Sequence, residues 1–183
     1  MKLNLLYSKN MKKYWVIILV FLISDNLFAQ TNIKKLEPEK YFDFWVGEWD
    51  LIWQTVNSKT GEGKNYISKK LNDHVIEENF KVINDDNMKG FVGKSWSVYN
   101  KNNQTWYQTW VDNQGSYLDF VGEIDGNKRI FKREFTLSNG RLVKQRMVFY
   151  NIKENSFTWD WESSMDNGKS WDLKWRIFYS RKK

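Results

Sequence analysis

Turn-forming clusters recur along this chain at near-even intervals, and no other feature of the sequence restricts its fold as strongly. They read "NSKTGEG" from Asn57, "ND" at Asn72, "NDDNMKG" from Asn84, "NKNNQ" from Asn100, "DNQGS" from Asp112, "DGN" from Asp125, "SNG" from Ser138, "KEN" from Lys153 and "DNGK" from Asp166. Asn, Asp and Gly tolerate the backbone conformations that tight hairpins require. Between the clusters lie runs of roughly 8 to 12 residues rich in Trp, Tyr, Phe, Val, Ile and Thr, side chains suited to a pleated, half-buried surface. Pro38, the only proline, precedes the first run and interrupts no ladder. No interval sustains a helical period, and "EPEKYFDFW" predicts at most a one- or two-turn helical cap at the N-terminal end of the fold. The turns therefore predict an all-β chain of about ten antiparallel strands, and strands joined only by tight turns close most economically into an up-and-down barrel without free edges.

"MKKYWVIILVFLISDNLFAQ", from Met11, combines two lysines, an apolar run from Tyr14 to Ile23 and a small residue before a polar one. That order predicts a secretory signal peptide over residues 1–29, cleaved between Ala29 and Gln30. A permanent span needs about 20 apolar residues, so no stable membrane span is expected after cleavage, and the expected location is periplasmic or secreted. Residues 30–183 then make one β-barrel domain, large enough to bury a core without staples. The chain has no cysteine, which excludes disulfides and the lipid attachment of lipoproteins. Its net charge of +7 falls to +4 without residues 1–29, which hold Lys2, Lys9, Lys12, Lys13 and Asp25. Only the terminal "SRKK" is a basic block, so nucleic acid is not an expected partner.

The residues available for chemistry are few. His74 is the only histidine and follows Asp73 in a predicted turn, which excludes a zinc site built from several His or Cys and leaves no expected metal or cofactor. Glu77, Glu78, Asp112, Asp119, Asp160 and Glu162 stand among aromatics. A carboxyl pair about 5 to 10 Å apart could hydrolyse a glycosidic bond, so a carboxylate-dependent glycosidase or isomerase using Asp112 and Glu78 is one alternative; cross-strand pairing with lysines is the plainer reading. "SMDNGKSW" fits the Asp-box hairpin brace of sialidase propellers, but it occurs once, so Asp166 and Trp171 are read as turn chemistry.

The stretch "TWYQTWVDNQGSYLDF" places Trp106, Gln108, Trp110 and Asp112 on one side of a strand, alternating flat apolar surface with hydrogen-bonding groups. A ligand cavity is built from that mixture. In the last hairpin, Phe157, Trp159 and Trp161 alternate with Thr158, Asp160 and Glu162, and Trp171, Leu173, Trp175, Ile177 and Tyr179 alternate with Asp172, Lys174 and Arg176. A register setting Asp160 against Arg176 and Glu162 against Lys174 satisfies both strands. Either face could line the lumen, and the cost of burying charge favours the aromatic one. The expected ligand site comprises Trp53, Trp106, Trp110, Trp159 and Trp161 as walls, with Gln108, Asp112, Gln145 and Arg176 as orienting groups, for a small apolar or aromatic-stackable molecule. A further alternative is a cell-envelope interaction module with outward tryptophans.

"FDFWVGEWDL", residues 42–51, resembles the Gly-x-Trp opening of calycin barrels, the group that includes lipocalins and fatty-acid-binding proteins, with Gly47 and Trp49 in the two positions. Through "FDFWVGEW", "GKSWSVYN", "QTWVDNQGSYLDFVGE" and "FTWDWESS", residues 41–180 resemble a family of small secreted bacterial lipocalin-like proteins of unknown function. The resemblance implies a barrel whose end is plugged by Trp49 and covered by an arginine of the last strand, for which Arg176 is the candidate. It brings no established activity. The haem-binding histidine near the C-terminus of nitrobindin-like calycins has no counterpart here.

Overall fold

The computed structural model describes residues 36–56 and 59–182; the expected signal peptide and its cleavage point lie outside the described residues, as do Asn57 and Ser58 of the first turn cluster. Ten strands follow in order: β1 (Gly47–Gln54), β2 (Thr60–Lys70), β3 (Val75–Asn84), β4 (Val92–Asn100), β5 (Thr105–Asp112), β6 (Tyr117–Asp125), β7 (Lys128–Thr136), β8 (Leu142–Lys153), β9 (Ser156–Ser164) and β10 (Asp172–Arg181). Each pairs antiparallel with the next, and β10 returns to β1, so the sheet closes as an up-and-down barrel. Tight turns enforce this neighbour-to-neighbour order; between β2 and β3, Leu71, Asn72 and Asp73 all adopt left-handed backbone.

Along β1 through β4 inward and outward residues alternate strictly, for example Trp49, Leu51 and Trp53 buried between exposed Glu48, Asp50 and Ile52. The aromatic face is the lumen. One end is closed by the segment before β1, which forms the expected short helical cap as two 3-10 turns, Pro38–Lys40 and Asp43–Trp45. Between them Phe42 is fully buried, stacked on Phe131 at 4.4 Å and edge-on to Trp106 at 5.0 Å. Gly47, at φ 140°, turns the chain from this cap into β1, in a region of backbone space open essentially to glycine alone. Two residues on, Trp49 is buried against Phe157 and Tyr179, and its indole N–H donates to the Trp45 carbonyl at 2.7 Å.

The arginine over Trp49 is Arg181, not Arg176. Its guanidinium lies 4.2 Å from the ring centroid and donates to the carbonyls of Val46, Phe44 and Glu154. Arg176 is on the outer face, held by a two-point interaction with Asp160 at 2.8 and 2.7 Å. The register Asp160 to Arg176 is the expected one, but Glu162 does not meet Lys174. A bulge between Leu173 and Trp175 leaves Lys174 without a partner across the strand, turns Leu173 outward at 47% exposure, and Glu162 instead takes Arg146 of β8 at 2.6 Å.

Candidate functional site

Ten strands enclose more than side chains fill: about eight give a lumen just wide enough for packing. In this barrel the remainder is a cavity of about 180 Å³. Four tryptophans from the later strands wall it, Trp110 of β5, Trp159 and Trp161 of β9, and Trp175 of β10, with Phe80, Phe91 and Phe120 beside them and Leu118, Met147 and Ile177 adding aliphatic surface. The rings meet at steep angles, Trp159 to Trp175 at 5.9 Å and 89°, and Phe80 to Trp175 at 5.9 Å and 83°, the edge-to-face geometry that aromatic quadrupoles prefer. Phe91 belongs to the loop between β3 and β4 and lies over Trp110 at 6.4 Å. Gly93 makes room for that indole, since a Cβ there would overlap the six-membered ring of Trp110.

Toward the capped end the lining changes character, with Glu78 of β3, Tyr179 of β10 and Trp45 of the cap reaching the cavity. Glu78 is 5% exposed; its carboxylate accepts from Asn65 Nδ2 at 2.7 Å and from Ser95 Oγ at 2.6 Å. Burial pushes its pKa up from the ordinary carboxylate value to about 7, against the opposing pull of the Ser95 and Asn65 hydrogen bonds. Asn65 Nδ2 also donates to the Tyr179 hydroxyl at 3.3 Å. Burial, with the Glu78 charge adding to it, holds the Tyr179 phenol well above its usual range. The indole N–H of Trp45, Asn65 Oδ1 and Gln108 Oε1 are buried without a protein partner.

The expected site residues divide by depth and face. Trp110, Trp159 and Trp161 line the cavity together. Trp106 sits at the capped end, donating to the Pro38 carbonyl at 2.8 Å, and Trp53 lies at the opposite mouth, bonded to Asp85 at 2.8 Å and edge-on to Trp175. Gln108 is buried inside the barrel but outside the cavity lining, donating to Ser95 and Ser97. Asp112 braces the β5–β6 turn, accepting from Trp110 Nε1 and from the amides of Gln114 and Ser116; burial pushes its carboxyl up, but these bonds hold it on balance below the usual range. Gln145 accepts from Arg133 at 2.8 Å and is not part of the cavity lining, and Arg176 is excluded from the lumen by its position on the outer face.

Outside the barrel, Asp166 accepts from the Ser170 amide and hydroxyl and from Ser164 Oγ, bonds that depress its pKa. Trp171 lies under the Arg146 guanidinium, 3.9 Å from the ring centroid. Glu77, one residue from Glu78, faces outward to Lys70 and Lys94. His74 is exposed in its turn, and the described residues hold no cluster of His, Cys, Asp or Glu suited to a metal ion. Trp96, 42% exposed, stands on the outer face near Val98, Tyr107 and Val121 of successive paired strands.

By sequence Glu78 is one carboxylate among several and not an expected member of the binding site, although the period-two alternation of "VIEENFKVIN" sets it on one face with Ile76, Phe80 and Val82. The same reasoning applied to "WRIFYS" joins Trp175, Ile177 and Tyr179. Among the described residues, no helix is long and apolar enough to cross a membrane. The chain matches no protein-family model and no curated protein. Among solved structures it is similar to a redesigned beta barrel, with a TM-score of 0.41 and 10% sequence identity over 79% of this chain and 96% of that one.

Proposed function

We propose that this protein binds a small apolar or aromatic-stackable molecule inside the barrel, and that it does so in the periplasm or outside the cell after removal of residues 1–29. The single observation that supports binding most directly is the cavity itself: about 180 Å³ bounded by five indoles, with Glu78 and Tyr179 as its buried polar floor. A dry cavity of about 150 Å³ already admits benzene, so the natural occupant is one ring in size or slightly larger. The location rests on the leader-like sequence of "MKKYWVIILVFLISDNLFAQ", and kinship with secreted lipocalin-like proteins rests on the Gly47-x-Trp49 opening and the arginine that covers it.

The paired-carboxylate alternative finds less support, because Glu78 is the only carboxylate among the residues lining the cavity, whereas the two-carboxyl mechanisms need a second across the substrate. Titrating intrinsic tryptophan fluorescence with single-ring aromatics, fatty acids, sterols and oligosaccharides tests the binding reading. Saturable quenching by the small aromatics is expected, weakened by Trp159→Ala. No saturable response to any class would end this reading.

A further inference from the structure

We propose that the cavity is built for a small organic cation, an aromatic or alkylated amine whose positive head meets Glu78 and whose apolar part lies among Trp110, Trp159, Trp161 and Trp175. The inference rests on the cavity being the binding site and adds the ligand's charge.

Glu78 has no counter-ion among the described residues. The groups that face it are Asn65 from β2, Ser95 from β4 and Tyr179 from β10, with Gln108 of β5 behind Ser95. None of these carries positive charge, and none of the ion pairs among the described residues includes Glu78. A carboxylate removed from water without a cation is strongly disfavoured, and a ligand that brings the cation supplies what the protein omits. The carboxylate also has acceptor capacity to spare. Each oxygen accepts one hydrogen bond from the protein, while an ionised carboxyl offers about four lone-pair directions.

The walls favour the same ligand. Indole faces are the strongest aromatic partners for a cation, more so when water is excluded. Arginines, which would suit an anionic ligand such as a fatty acid, engage other partners: Arg129 bonds the Tyr41 carbonyl, and Arg133 bonds Gln145 and lies 4.8 Å from the Phe135 ring centroid and 6.0 Å from that of the wall residue Phe120. Neither belongs to the cavity lining. Because burial raises Glu78 to about 7, a cation that binds below neutrality expels a proton, so affinity depends on pH. Tyr179, the other titratable group facing the site, is held neutral across that range.

Three nearly isosteric probes separate the possibilities: benzylamine, benzyl alcohol and benzoate, titrated calorimetrically into the full chain and into Glu78→Gln. At about pH 8 benzylamine is expected to bind at least about tenfold more tightly than benzyl alcohol, with benzoate weakest. Lowering the pH to about 5.5 should weaken benzylamine by on the order of thirtyfold and leave benzyl alcohol unchanged. In Glu78→Gln both the preference and the pH dependence should vanish. Equal affinity for the amine and the alcohol at about pH 8 overturns the inference and leaves the binding reading intact; so does an amine affinity that does not change with pH in the unmodified protein, a measurement that needs no variant to fold. Failure of all three probes to bind overturns the inference, and the binding reading falls with it only when fatty acids, sterols and oligosaccharides also give no response.

Discussion

Arg181 joins three parts of the molecule with one side chain: it ends β10, donates to two carbonyls of the cap segment and one beside β9, and sits over the Trp49 plug. Its planar fork is what makes this possible, since its donors are spread over three nitrogens that reach three separate carbonyls, whereas an ammonium gathers its three donors on one nitrogen. Arg181→Ala should lower the unfolding free energy by about 2 to 4 kcal/mol, the sum expected for a cation over an indole and several charge-assisted hydrogen bonds. Arg181→Lys should recover less than half. Urea unfolding followed by tryptophan fluorescence measures both, and a loss below about 0.5 kcal/mol for Ala would show that Trp49 is held by packing alone. At the other end of the lumen Gly93 has a steric rather than electrostatic duty. Gly93→Ala puts a methyl where the Trp110 indole lies, and the ring must move into the cavity. The expected result is a loss of ligand response in the fluorescence titration, together with a stability cost of about 1 to 3 kcal/mol. Retained binding would mean that the wall tolerates displacement.

The elements repeat this division between what local pattern reveals and what closure decides. Strand number and order follow from the turn clusters, because each places Asn, Asp or Gly where the chain reverses and no long connection intervenes. Facing follows from period two: it sets Glu78 with Ile76, Phe80 and Val82, and Arg181 with Trp175, Ile177 and Tyr179, so both placements are legible in the amino-acid pattern. Axial position is not. Trp106 and Trp110 share a face, yet one bonds the cap and the other walls the cavity, and only the register around the closed ring assigns their depth. The bulge at Lys174 is equally hidden, because the apolar and ionic alternation of "WDLKWRIFYS" runs through it without interruption. Past the bulge the expected register holds, and the outer face of the hairpin is tied by the buried Asp160 carboxylate, which accepts from Arg176 twice and from Tyr150 once. Asp160→Ala should cost about 1 to 3 kcal/mol, less than a fully buried pair because Arg176 can rehydrate. Thermal unfolding checks it; an unchanged midpoint would assign the hairpin's stability to its inner tryptophans.

At the scale of the whole molecule, the cavity and its single unpaired carboxylate set stability and function against each other. Side chains that completed the core would remove the hollow, and a neutral residue at position 78 would remove a buried acid. The pH dependence exposes this conflict. Glu78 has a folded pKa of about 7 against an ordinary value of 4.5, so between those values the folded protein keeps a proton that the unfolded chain has released. Stability from this group is therefore complete below the unfolded value and is lost as pH rises through the folded one, by about 3 kcal/mol in total. Depressed carboxylates such as Asp166 act with the opposite sign and at lower pH, where the unfolded chain takes up protons first. Because several groups titrate together, the informative quantity is a difference. Glu78→Gln keeps the size and the acceptor for Asn65 but cannot ionise, so its stability relative to the unmodified protein should be near level at about pH 4 and should rise by about 3 kcal/mol toward pH 8. Urea unfolding of the two proteins across that range tests it. A difference that stays flat would mean that the carboxylate is already solvated, by water entering through the mouth, and that the cavity is wetter than its tryptophan walls imply.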